Sequence, residues 1–182
     1  MIEGLNESYK LLLSSAVQCV VAFCIPAWLT ARFCTHDASK WLGLNKIPGL
    51  KAFIGVVIAY ALALPAFNWI VDWNQHIHLP DAFSQIEETF RNWEETNGSV
   101  AVKMLSDANV ATIVTAVIVV GLLTGFSEEV FFRGALQGIF QRGNVSSFVA
   151  VWGAAAIFSA LHFQFFGFIP RLLMGAFFGY LF

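Results

Sequence analysis

"ANVATIVTAVIVVGLLTGFSEEVFFRGALQGIF", Ala108 to Phe140, decides how the chain must be read. Residues 108–127 carry no charge, and about 20 such residues suffice for a helix to cross the hydrocarbon core of a bilayer. Glu128, Glu129 and Arg133 then enter a run that stays apolar around them, through Phe131 and Phe132. The simplest reading is one long helix. Gly121, Gly125 and Gly134 would allow bends or close neighbours along it, and Arg142-Gly143-Asn144 would make the turn at its end. A charged triplet in a stretch that reads as lipid-buried is the feature to be explained.

The rest of the chain supports a membrane setting. Of its 182 residues 58% are hydrophobic and only 12% charged, with a mean hydropathy of +0.69, whereas soluble domains carry roughly 25% charged residues. Residues 11–31 and 52–71 are two further charge-free runs, and 143–170 is a longer one in which His162 is the sole titratable group. A last apolar run covers 172–182. Pro26 and Pro65 do not oppose this reading, because spanning helices tolerate proline. The N-terminus, with Glu3 and Glu7 against Lys10 and a long apolar run behind them, predicts a retained first span rather than a cleaved signal. Net charge is −2, so nothing points to nucleic acid. Cys19, Cys24 and Cys34 lack metal-ligand spacing and read as free thiols.

The loops suggest an orientation. Residues 31–51 hold Arg32, Lys40, Lys46 and Lys51 against Asp37, which places that loop in the cytoplasm. Residues 72–107 hold seven acids, Asp107 among them, against Arg91 and Lys103, and belong on the other side. Within that segment Phe83, Ile86, Phe90 and Trp93 recur at helical spacing. They predict a short amphipathic helix, lying on the membrane surface or packed over other helices. His76 and His78 are either a metal pair on an extended segment or solvated loop histidines. The expected class is therefore all-α, a polytopic transmembrane helical bundle with an interfacial helix in the 72–107 loop. Residues 1–108 would form an N-terminal region of two spans and a polar loop, and 109–182 the functional core.

On a helix Glu129 and Arg133 stand four residues apart, with the glutamate on the N-terminal side, the favourable order for an ion pair. Pairing offsets part of the roughly 2.5–3.5 kcal/mol that a charged residue costs at a bilayer centre. Glu128 has no such partner in the local sequence and is left as an extra carboxylate suited to acid–base chemistry. The bland alternative is a helix end reaching the interface, with all three charges at headgroup level. "AIFSALHF" bears on the choice. It sets Phe158 and His162 four residues apart on one face of the next helix. Counting about 1.5 Å per residue from the 142–146 turn puts Glu128 and His162 about 20 and 22 Å along two antiparallel helices, at nearly equal depth. Ionisable residues inside a membrane are functional candidates by default.

Glu128-Glu129-x-x-x-Arg133 and Phe158-x-x-x-His162, in this order and in this kind of segment, resemble the EExxxR and FxxxH motifs of the CPBP intramembrane protease family, which includes the CAAX-prenyl endopeptidases. "FFGFIPRLLMGAFFGYLF" is similar to the family's next helix, so the resemblance covers 109–182. It implies an endopeptidase of a bacterial plasma membrane, working in the lipid bilayer on a membrane-embedded or lipidated peptide or protein. Glu128 and His162 would activate the attacking water, while Glu129 and Arg133 orient Glu128. It also raises a divalent metal such as zinc, for which Glu128 and His162 are the candidate ligands; two are fewer than the three protein ligands of a catalytic zinc. The family has a third motif, a histidine followed four residues later by asparagine or a similar residue. No histidine follows His162, and the expectation is a C-terminally truncated chain whose site is incomplete by itself. Two other functions stay open on these residues: a non-catalytic immunity or scaffold protein of the same fold, and a proton-relay bundle.

Overall fold

A computed structural model describes residues 6–45, 47–105 and 109–182. Glu3, Lys46 and Asp107, which entered the charge readings above, lie outside the described residues. Among the described residues there are seven helices and no strand. They are α1 (Glu7–Cys34), α2 (Ala38–Trp41), α3 (Leu50–Gln75), α4 (Ser84–Met104), α5 (Val110–Arg142), α6 (Ser147–Ala160) and α7 (Phe168–Leu181). Helices α1, α3 and α5 are long and apolar enough to cross a membrane, and they hold the runs 11–31, 52–71 and, from Val110 on, 108–127. From Val110 the opening stretch is one continuous helix, as its pattern predicts. The chain divides into two compact units, Met1–Leu42 with Glu94–Ala135, and Gly43–Trp93 with Leu136–Phe182.

In the first unit α1 packs along α5. Asn6 caps α1 by accepting the Ser8 N–H at 3.2 Å, and the buried Ser8 hydroxyl donates to the Lys103 carbonyl at 3.0 Å. Further along, Cys19 Sγ meets Thr124 Oγ1 at 3.2 Å. The Phe23 ring lies 5.6 and 5.9 Å from those of Phe131 and Phe132. Neither helix is a plain α-helix. Wider π-helical turns occupy Cys19–Cys24 in α1 and both Val117–Leu123 and Val130–Gln137 in α5. Such turns inside α-helices are frequent at functional sites. Thr124 Oγ1 donates to the carbonyl of Val119, five residues back, at 3.0 Å and helps satisfy the widened turn. Ala27, Ala31, Ala38, Leu42, Val130 and Ala135 form the buried core beside it. A Cβ on Gly134 would stand 3.0 Å from the Leu42 carbonyl oxygen, so this glycine is the close-contact one. Gly121 and Gly125 have nothing within 4 Å.

In the second unit α7 packs on both α6 and α3. Tyr60 stacks on Phe178 and Phe67 meets Phe177 edge-on. Asn74 Nδ2, nearer the C-terminus of α3, donates to the carbonyl of Phe166 just before α7. Helices α3 and α7 therefore run in opposite directions. Gly175 and Gly179, four apart, let α7 approach α6 closely, the small-residue spacing that favours helix pairs in membranes. A Cβ on Gly179 would sit 2.9 Å from both Gln137 Oε1 and Val151 Cγ1. The buried Gln137 in turn donates from Nε2 to the Gly179 carbonyl at 3.0 Å. Gly179→Ala is accordingly expected to destabilise by about 1–3 kcal/mol, read as a lower unfolding temperature in detergent. Gly121→Ala, which adds its methyl to open space, should not.

The apolar stretch 143–170 is not one helix, and the helix that carries Phe158 stops short of His162, which corrects the sequence reading of both on one helix. Helix α6, capped by Ser146 through the Val149 N–H, stops at Ala160. A turn and a short 3-10 segment, Phe165–Gly167, precede α7. The amphipathic helix expected near Phe83–Trp93 exists but is longer, running to Met104. Phe90 packs by stacking on Phe165 with centroids 5.2 Å apart, while Phe83, Ile86 and Trp93 remain exposed.

His76 and His78 turn Nδ1 to different partners. His76 Nδ1 lies 2.7 Å from the Asp72 carbonyl, and His78 Nδ1 lies 3.0 Å from Glu87 Oε1. Glu87 also accepts the Leu79 N–H at 2.7 Å and Arg91 Nε and Nη2 at 2.9 and 2.7 Å. The Leu79 bond first, and then Arg91, hold its carboxyl down at about 2 from an ordinary 4.5. A depressed carboxyl contributes stability above its unfolded value and loses it as pH falls through the folded one. The 76–91 fastening is therefore expected to persist at pH 5 and to loosen between about 4.5 and 2. Hydrogen exchange at the Leu79 amide checks this, and Glu87→Gln should abolish the dependence.

Candidate active site

The first unit supplies Glu128, Glu129 and Arg133, all on α5. Arg133 is 3% exposed and its Nη1 lies 3.1 Å from Glu129 Oε1, the ion pair that the spacing predicts. Glu128 is a different matter from its sequence reading. The turn Val130–Gln137 that follows is π-helical, widened to i→i+5 backbone bonding. Glu128 stands five residues before Arg133, and the guanidinium feels both carboxylates, Glu129 more strongly. Glu128 thus has an electrostatic partner, which an α-helical count of four does not reveal. Arg133 thus lies in the field of two carboxylates, one of them its ion-pair partner.

The second unit supplies His162. It stands not on the helix, as the sequence reading expects, but on the turn just after α6, with its N–H bonded to the Ser159 carbonyl at 3.3 Å. The four-residue relation to Phe158 survives there. His162 Nδ1 is 2.8 Å from the Phe158 carbonyl and the two rings meet edge-on at 4.8 Å. Against a carbonyl Nδ1 must donate, so the neutral ring carries its lone pair on Nε2.

Two polar side chains in this turn escaped the sequence reading. Arg171 Nη2 donates to Gln164 Oε1. Its guanidinium fills the space that a side chain at Gly167 would take, with Nη2 3.1 Å from the Cβ position. Their signal was present, since an arginine and a glutamine within an apolar run call for a local partner, but Arg171 serves in the hydropathy pattern only as the end of a stretch.

A metal finds no complete set of ligands. Among the described residues no three His, Cys, Asp or Glu side chains are grouped so as to hold one, and a catalytic zinc takes three protein ligands. The described residues do not by themselves fit a zinc centre.

These features define an all-α, multi-pass membrane protein with ionisable groups in its apolar helices. Residues 110–182 match the Rce1-like family, described as type II CAAX prenyl endopeptidase Rce1-like. The matched segment begins at the first residue of α5 and includes both motifs, in agreement with the resemblance read from 109–182. The family is one of proteases. No curated protein and no solved structure matches the chain.

Proposed function

We propose that the protein is an intramembrane endopeptidase that hydrolyses a peptide bond of a membrane-embedded or lipidated peptide. The observation that carries this is the Rce1-like match over the one segment holding Glu128-Glu129-x-x-x-Arg133 and Phe158-x-x-x-His162. In this reading Glu128 takes a proton from water, whose oxygen attacks the carbonyl carbon. The C–N bond then breaks, and the proton passes to the leaving nitrogen. His162, fixed through Nδ1, uses Nε2 to hold the water or the developing oxyanion, according to its protonation. Glu129 and Arg133 set the position of the Glu128 carboxylate. Support comes from the tethered imidazole and from the two carboxylates that act on Arg133.

The test is cleavage of a lipidated peptide by the full-length protein in membranes, with Glu128→Ala and His162→Ala beside the wild type. Loss of cleavage in both at unchanged expression is the expected result. Retained biological function in both would instead identify a scaffold, and a pH-dependent proton flux lost in both would identify a relay.

A further inference from the structure

The turn that carries His162 is strained. Phe163 has φ +51°, a left-handed conformation that a bulky residue adopts only where its surroundings impose it. The restraints lie next to it in the same unit. The Phe166 carbonyl accepts from Asn74, the Phe165 ring stacks on Phe90, and the Ser159 hydroxyl donates to the Phe168 carbonyl at 2.7 Å. Above all, the Arg91 guanidinium covers the buried Phe166 ring with 4.1 Å from Cζ to the centroid. Arg91 is itself held in place. Glu87 takes two of its N–H groups, and Nη2 also donates to the Ile77 carbonyl at 3.1 Å. Asn74, Phe90 and Arg91 all precede the Rce1-like segment.

We propose that Arg91 is a positioning residue for His162, acting through Phe166 to hold the strained turn on which the imidazole stands. The inference rests on the reading of His162 as a reacting group. Because Nδ1 is tied to the end of α6, the backbone between Leu161 and Phe166 decides where Nε2 points. Pinning Phe166 from α4 fixes the far end of that backbone. A lysine would keep a cation over the ring but would lose the fork of bonds to Glu87 and Ile77, so it should serve in part.

The experiment uses the full-length protein in nanodiscs. Two readouts are taken: carbethoxylation of His162 by diethylpyrocarbonate, followed on its own peptide by mass spectrometry, and kcat and KM on a lipidated peptide. Arg91→Gln is expected to raise the modification rate of His162 severalfold. It should lower kcat by about tenfold, within the range for small misplacements of a reacting group, with KM little changed. Arg91→Lys should recover most of the kcat. Phe163→Gly removes the strain, so it should unfold at a higher temperature than wild type and yet cleave more slowly. Wild-type His162 reactivity and kcat in both Arg91→Gln and Phe163→Gly would overturn the proposal. Undiminished cleavage by His162→Ala would overturn the reading of His162 as a reacting group instead, while the carbethoxylation rates would still show whether Arg91 positions the ring.

Discussion

Glu128→Gln is expected to lower peptide cleavage by about 10²- to 10⁴-fold, the usual contribution of a positioned acid–base group, while the protein still folds. The substitution keeps the volume and shape of the side chain and removes only the charge and the proton affinity. Arg133 retains Glu129 at 3.1 Å, so the buried cation is still paired. The contrast with Glu129→Gln is the informative part. That change removes the stronger of the two interactions with Arg133 but leaves the base in place, so its deficit should be smaller and accompanied by lost stability. Cleavage assays and thermal unfolding on the two variants side by side check the assignment. Equal activity loss in both would mean that the two carboxylates share the role.

Arg133→Leu is expected to be the most destabilising single change at the site, by about 2–3 kcal/mol. Breaking a buried pair from one side typically costs about 3–5 kcal/mol because a charge is left uncompensated. The value belongs at or below the lower end, since the Glu129 side chain keeps 44% of its surface exposed and exposed pairs are worth less. The second carboxylate adds a sharper expectation. If Arg133 served Glu129 alone, Glu129→Leu with Arg133→Leu would restore stability. With Glu128 also in its field, that double variant should recover only part, and adding Glu128→Gln should recover more. Unfolding temperatures of the three variants in detergent test this.

The long helices were legible in the sequence because each is a charge-free run of sufficient length, and Glu129 with Arg133 was legible as a four-residue pair. Three things were not. The break at Leu161–Gln164 lies inside a run whose hydropathy does not change, and a turn there looks no different from a helix. Gly167 and Pro170 were the available signals, since proline belongs in the first turn of a helix. Widened turns in α5 leave no compositional mark, and a four-residue count does not show the electrostatic link from Glu128 to Arg133. The approach of Asn74 and Arg91 to Phe166 spans 92 residues in one case and is a tertiary fact. From sequence, Arg91 was just one of two cations in an acidic segment.

Helix α6 has 14 residues, a length of about 21 Å at 1.5 Å per residue, against a hydrocarbon core of about 30 Å. It is closed at one end by the Asn144 turn and at the other by the turn bearing His162. Set across a bilayer, a helix this short would leave roughly 9 Å that must thin or admit water. The proposed hydrolysis consumes one water in each cycle, in a place where water is otherwise scarce. In that reading a short α6 would act as a supply route, letting the membrane surface approach the imidazole without a channel through the lipid.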